Sequence, residues 1–166
     1  TNRQQALDPK RLRGAQESTV AERQLLELML ANDDVRRAMI SNLTEEDYSE
    51  LATGAVFAAI IAVCSEGLEP DFHNLCERIE GEAERAMLPA LLMSDLGWAG
   101  DGDFDTLFKA ATEALSSLRR RQLERRLDLI QIEIGQAERE QDVDRVLRLW
   151  QEKAEIQRRR IALSGP

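Results

Sequence analysis

FDTLFKAATEALSSLRRRQLERRLDLIQIEIGQA, from Phe104 to Ala137, contains no proline and a single glycine, Gly135. Read at about 100° per residue, its apolar side chains change face partway along. Phe104, Leu107, Phe108, Ala111, Ala114, Leu115 and Leu118 share one face. After the basic run Arg119-Arg120-Arg121, a second set follows: Leu123, Leu127, Ile130, Ile134 and Ala137. That set is rotated by roughly 120–140° from the first. The pattern predicts one continuous helix serving two cores. At about 1.5 Å per residue it would be on the order of 50 Å long, a strut whose first half closes a bundle and whose second half pairs with the helix after it. Gly135 and the arginine run are the places where it could bend or let the hairpin swap between molecules.

The composition agrees with helices. Of the 166 residues 43% are apolar and only 4% aromatic, and period-two runs of Val, Ile, Tyr or Phe are missing. Ala, Leu, Glu and Arg dominate, which predicts an all-α protein. No apolar run approaches the roughly 20 residues of a membrane span. The net charge of −9 is uneven: residues 1–112 carry 10 Lys/Arg against 21 Asp/Glu, and residues 113–166 carry 12 against 10. An acidic body is a poor general phosphate binder, so little direct nucleic-acid binding is expected. Cys64 and Cys76 lack disulfide-framework spacing and suit a reduced, cytoplasmic setting.

Three segments follow from local signals. Residues 1–18 read as a linker, and a chain that opens on such a stretch without methionine reads as a piece of something longer. Residues 19–118 read as a helical bundle subdomain. Thr19-Val20-Ala21-Glu22 fits a capping box ahead of a helix burying Leu25, Leu28 and Met29, with Leu26 and Leu30 beside them. Asn32 caps a short helix through Val35, Met39 and Ile40, and Thr44 opens another. A nearly apolar segment from Thr53 to Ser65 should be the central helix, ended by Gly67. Asp71 caps a helix with Phe72, Leu75, Cys76 and Ile79. A fifth helix carries Leu88, Leu91 and Leu92, with Pro89 expected near its first turn or at a kink. Residues 94–103 form a loop, with Asp103 the N-cap of the strut. Residues 119–163 are the second half of the strut plus a C-terminal helical hairpin, with a turn from Glu138 to Gln141 and Asp142 capping the last helix.

Catalytic chemistry has little to rest on. His73 is the sole histidine, so no histidine-based metal cluster or triad can form, and no catalytic residue or metal ligand is assigned. Cys64 and Cys76 read as small core residues. Asp101-Gly102-Asp103-Phe104-Asp105 superficially resembles a calcium loop, but Thr106 and Thr112 stand where the glycine and closing glutamate belong. The Arg119–Arg121 run has no interleaved aromatics and reads as a solvated joint. No cofactor is expected in this chain.

The hairpin carries the anomaly. Val143, Val146, Leu147, Trp150, Ala154 and Ile161 are taken as the seam against the strut. That leaves Leu149, Ile156 and Leu163 as a second stripe roughly 120–160° away, with Lys153 between them. On the strut, Leu129 and Ile132 point off the seam of Leu127, Ile130 and Ile134. Apolar residues with nothing to cover them mark an interaction surface.

This arrangement resembles the C-terminal, helicase-binding domain of bacterial DnaG-type primases. The likeness rests on Glu22-Arg23-Gln24-Leu25-Leu26-Glu27-Leu28-Met29-Leu30, on Phe57-Ala58-Ala59-Ile60 and Pro70-Asp71-Phe72, and on Arg145-Val146-Leu147-Arg148-Leu149-Trp150-Gln151-Glu152-Lys153-Ala154-Glu155-Ile156. It covers about residues 19–161. The resemblance implies a non-catalytic domain that docks on the N-terminal domains of the hexameric replicative helicase, tethers primer synthesis to the fork and modulates both enzymes. The parent protein would be a primase, with zinc and divalent metal in domains outside this chain. By the same resemblance the partner contacts are Leu129, Ile132, Leu149, Lys153, Ile156, Gln157 and Arg158; hairpin-mediated self-association is a further expectation, from the bend points at Gly135 and the arginine run. The N-terminal domain of the replicative helicase itself is similar too, since it also joins a bundle to a hairpin, and Ala21-Glu22-Arg23-Gln24-Leu25-Leu26 suits either. That is the alternative reading.

Overall fold

The computed structural model describes residues 9–93 and 103–164, with side chains from Val20 onward. The described residues form eight α-helices and no strands: α1 Pro9–Ala31, α2 Asp33–Asn42, α3 Glu45–Tyr48, α4 Gly54–Ser65, α5 Phe72–Arg78, α6 Glu82–Leu92, α7 Phe104–Arg139 and α8 Val143–Ser164. The protein is all-α. It divides into two compact units, one ending at Leu115 and the other beginning at Ser116. The helix α7 passes from one to the other without interruption at Gly135 or at the arginine run.

In the first unit α1 packs on α2 and α6, α4 on α3 and α5, and α5 on α6. Leu25, Leu26, Leu28 and Met29 of α1, Val35 and Met39 of α2, Val56, Phe57, Ile60 and Val63 of α4, Leu75 and Leu88 are all buried. The first half of α7 adds Leu107, Ala111, Ala114 and Leu115. Side-chain caps set the boundaries. The Asn32 carboxamide oxygen accepts from the Val35 N–H at 3.0 Å and the Asp71 carboxylate from the Asn74 N–H at 2.8 Å, each satisfying a donor that a helix start leaves unpaired. Arg36 reaches back to donate to the Met29 carbonyl at 3.0 Å, closing the end of α1. At the end of α4, Gly67 takes φ +74°, and the Gly67 and Leu68 N–H groups bond back to the Cys64 and Val63 carbonyls. This is the left-handed helix stop that glycine adopts without steric cost.

Two expectations change. The first helix starts at Pro9, not Thr19, so residues 9–18 are helical instead of linker. Proline suits a first helical position, and the Lys, Arg, Ala, Gln and Glu that follow favour helix. Residues 1–8 of the expected linker lie outside the described residues. Thr19 and Glu22 are therefore mid-helix, and the buried Glu22 carboxylate accepts a hydrogen bond from the Thr53 hydroxyl at 2.7 Å in place of capping. Pro89 sits late in α6, well past the first turn. Of the expected loop 94–103, residues 94–102 lie outside the described residues. Asp103 directly precedes α7, its carbonyl accepting from the Leu107 N–H at 3.1 Å.

The second unit is the hairpin. Its core is Ile130, Ile134 and Ala137 of α7 against Leu149 and Ile156 of α8, edged by Leu123, Leu127 and Val146. The reversal is tight. Gln141 takes a left-handed φ of 57°, the Asp142 N–H bonds to the Ala137 carbonyl at 3.0 Å, and the Asp142 carboxylate accepts from the Arg145 N–H at 3.1 Å. A glutamine here performs the turn usually given to glycine or asparagine.

Candidate protein-docking site

Two apolar rows run along α8, and the structure assigns them the opposite way round from the sequence expectation. Leu149 and Ile156, expected off the seam, are each 6% exposed and form its centre. Of the expected seam, Val143, Leu147, Trp150 and Ile161 are 67%, 57%, 47% and 70% exposed, Ala154 is exposed too, and only Val146 is partly buried. The rows lie about 120–130° apart on helical arithmetic, and each has the three–four spacing of a packing face, so spacing alone does not choose between them. Polar pairing across the hairpin does.

With Leu149 and Ile156 facing α7, Glu152 meets Arg126 in a two-bond fork, with N···O distances of 2.7 and 3.0 Å, and Arg126 also reaches Glu133 at 3.2 Å. On the other edge the Lys153 ammonium donates to the Gln131 carboxamide oxygen at 2.9 Å. Near the turn Arg145 pairs with Glu140 at 3.3 Å. Bidentate arginine–carboxylate contacts are geometrically selective. The Arg126 hydrogen bonds, outweighing partial burial, hold the Glu152 carboxyl below its ordinary range, and the same contact raises Arg126. Turning α8 to bury the Trp150 row would break these contacts. Their signal in the sequence was the placing of Glu152 and Lys153 on either side of the Leu149–Ile156 row.

The expected contact residues thus separate. Leu149 and Ile156 are withdrawn as exposed anchors, because they hold the hairpin together. Lys153 lies at the edge of the exposed row, its ammonium 4.7 Å from the centre of the Trp150 ring, a cation–π contact. Gln157 and Arg158 are exposed, Gln157 within the row and Arg158 beside it. Leu129 and Ile132 are 53% and 66% exposed. On helical arithmetic Leu129 lies beyond the Arg126–Glu133 edge of α7 and Ile132 on the back of the helix, opposite the seam, whereas the Trp150 row lies beyond the Lys153–Gln131 edge. The hairpin therefore leaves apolar side chains exposed in two places, the Trp150 row on one flank and Leu129 with Ile132 on the far flank and back of α7.

Outside the hairpin, the histidine and the two cysteines lie apart from any common site among the described residues. His73 is exposed and faces Glu77 at 3.3 Å. Cys64 and Cys76 are free thiols, both partly buried. Among the described residues no group of three or more His, Cys, Asp or Glu is placed to hold a metal ion, and no helix is long and apolar enough to cross a membrane. Asp101 and Gly102 of the calcium-like stretch lie outside the described residues.

The described residues thus form an all-helical bundle followed by a hairpin that leaves apolar side chains exposed. Comparison with known families gives it a context: residues 15–94 match the family described as the DnaB-like helicase N terminal domain. The match spans the bundle from within α1 to just past α6 and supports a helicase-associated, non-catalytic helical domain. It falls on the helicase domain and not on the primase domain that the sequence resembles. No curated protein and no solved structure matches the chain.

Proposed function

We propose that this chain is a protein-docking domain of the replicative helicase–primase assembly, acting by binding and not by catalysis. The observation that carries the reading is the match of residues 15–94 to the DnaB-like helicase N-terminal domain. That match favours the N-terminal domain of the replicative helicase, a domain that would receive the primase and assemble with its neighbours in the hexamer. The second reading is the primase's own C-terminal domain. It draws on the last helix, Arg145 to Ile156, which resembles that family and lies outside the matched residues. In either role the hairpin supplies the docking faces, Leu129 and Ile132 among them. Apolar contacts then give affinity, and flanking charges give orientation and rate.

Titration calorimetry of the whole chain against two probes tests this, one a primase C-terminal domain and the other a helicase N-terminal domain. Binding to the first, with or without binding to the second, supports the helicase reading, because that domain also assembles with its own neighbours, and binding to the second alone supports the primase reading. Failure to bind either overturns the docking role. Leu129→Ser with Ile132→Ser should weaken the productive complex at least tenfold while leaving the far-ultraviolet circular dichroism unchanged.

A further inference from the structure

The hairpin is electrically lopsided along its length. Its open end, residues 119–126 of α7 and 153–160 of α8, carries nine Lys/Arg against two Asp/Glu, and eight of the nine are arginines. The stretch between, 127–152, which holds the turn, carries three against seven. Little nucleic-acid binding is expected of the acidic body, but this end of the hairpin has the opposite charge. The fold also sorts its cations by flank. The Arg126–Glu152 and Lys153–Gln131 contacts fix the register of the two helices, and continuing it away from the turn sets Arg120 level with Arg160. Arg120 stands three turns before Gln131 and Arg160 two turns after Lys153, each within about 20° of that residue's direction, so both lie on the Lys153–Gln131 flank. Neither makes an ion pair among the described residues. Trp150, 47% exposed, lies under the Lys153 ammonium on the same flank. Glu124 is the one acid of the open end that faces this way on helical arithmetic, and Glu155 is engaged by Arg159 at 2.8 Å. The arginine run has no aromatic beside it in the sequence, and the facing helix supplies one.

We infer that the flank formed by Arg120, Arg160, Lys153 and Trp150 binds a short stretch of single-stranded nucleic acid. Two arginines set level across the hairpin repel each other, and a phosphate backbone laid along them relieves that repulsion. Guanidinium forks match phosphate oxygens. An exposed indole beside them offers a face on which an unpaired base stacks, which an acidic peptide would not use. The negative turn end confines a polyanion to the open end. The site draws on neither Leu129 nor Ile132, so it is separate from the docking role proposed above and stands or falls without it.

Fluorescence anisotropy of a labelled oligothymidylate of about twelve nucleotides, titrated with the whole chain at low salt, tests the site. Saturable binding with a Kd of about 10–100 μM is expected. The slope of log affinity against log salt should be about −2, the value for roughly three phosphates neutralised on a single strand. Arg120→Gln with Arg160→Gln should weaken binding at least tenfold and bring the slope to about −0.7. Trp150→Leu should weaken it about fivefold and leave the slope unchanged. Arg148 is exposed and points about 140° away from Lys153, so Arg148→Gln should change the affinity less than about twofold. Helicity by circular dichroism should be the same for every variant. No binding at millimolar chain overturns the inference. So does equal weakening by Arg148→Gln, which would make the attraction diffuse, or a duplex of the same length bound as tightly with Trp150→Leu silent. A polyglutamate peptide of similar length that binds as tightly and displaces the oligonucleotide would make this a site for acidic protein segments, and the nucleic-acid assignment falls.

Discussion

Ile156 and Ile161 lie five residues apart on one helix and should respond very differently to the same substitution. Ile156 is 6% exposed and packs in the cluster with Ile130, Ile134, Ala137 and Leu149, whereas Ile161 is 70% exposed. Replacing a buried isoleucine by alanine costs about 2–5 kcal/mol through lost transfer energy plus the cavity left behind. A seam between only two helices can partly close over a missing side chain, so the low end, about 2 kcal/mol, applies to Ile156→Ala. That corresponds to roughly a thirtyfold increase in opening of the hairpin. Ile161→Ala removes no packed contact in the single chain, and the better helix propensity of alanine acts in its favour, so its effect should stay within about 0.5 kcal/mol. Hydrogen exchange of the amides in 127–137 and 146–158, measured at a dilution that keeps the chain monomeric, isolates the hairpin from the bundle. Equal protection losses for the two variants, or a larger loss for Ile161→Ala, would refute the assignment of the seam.

The Arg126–Glu152 fork should show a coupling of about 0.5–1 kcal/mol in a double-mutant cycle by chemical denaturation, a modest value because both side chains are more than a third exposed. Since folding lowers the Glu152 pKa, that contribution is present above the ordinary carboxyl range, near pH 4.3, and is lost as pH falls through and below it. Repeating the cycle near pH 2 should give no coupling. Gly54→Ala should destabilise the bundle by about 1–3 kcal/mol in thermal denaturation, because a Cβ there would stand 2.3 Å from the Tyr48 carbonyl oxygen. Gly135→Ala meets nothing within 4 Å and should stabilise the hairpin by about 0.5–1 kcal/mol.

The helices of the bundle were legible because their signals are local. The Asn32 and Asp71 caps, the glycine stop at residue 67 and the change of face along α7 each depend on residues within a few turns of one another. The start of α1 was misread because Thr19 and Glu22 have the form of a capping box. What places Glu22 is Thr53, 31 residues later, and a distant partner leaves no mark on a local pattern. The same limit inverted the hairpin. The Trp150 row is the more apolar of the two on α8, and hydrophobicity alone sends it inward, so Leu149 and Ile156 read as the row left outside. Charge matching across the turn selects the other row, and it was visible only by laying Arg126 and Gln131 against Glu152 and Lys153.

That inversion bears on what the hairpin is for. A helix with two packing rows about 120° apart can bury only one of them against a single antiparallel neighbour, and α7 takes the row of Leu149 and Ile156. The larger row, with the tryptophan, is left outside. The internal core is small, five buried residues with three more at its edge, and a core of that size gives a two-helix unit little stability of its own. Covering the Trp150 row from outside would bury further apolar surface, and any partner that binds the closed hairpin stabilises it in proportion to the logarithm of its concentration over its dissociation constant. Association and hairpin stability are then two readings of one equilibrium.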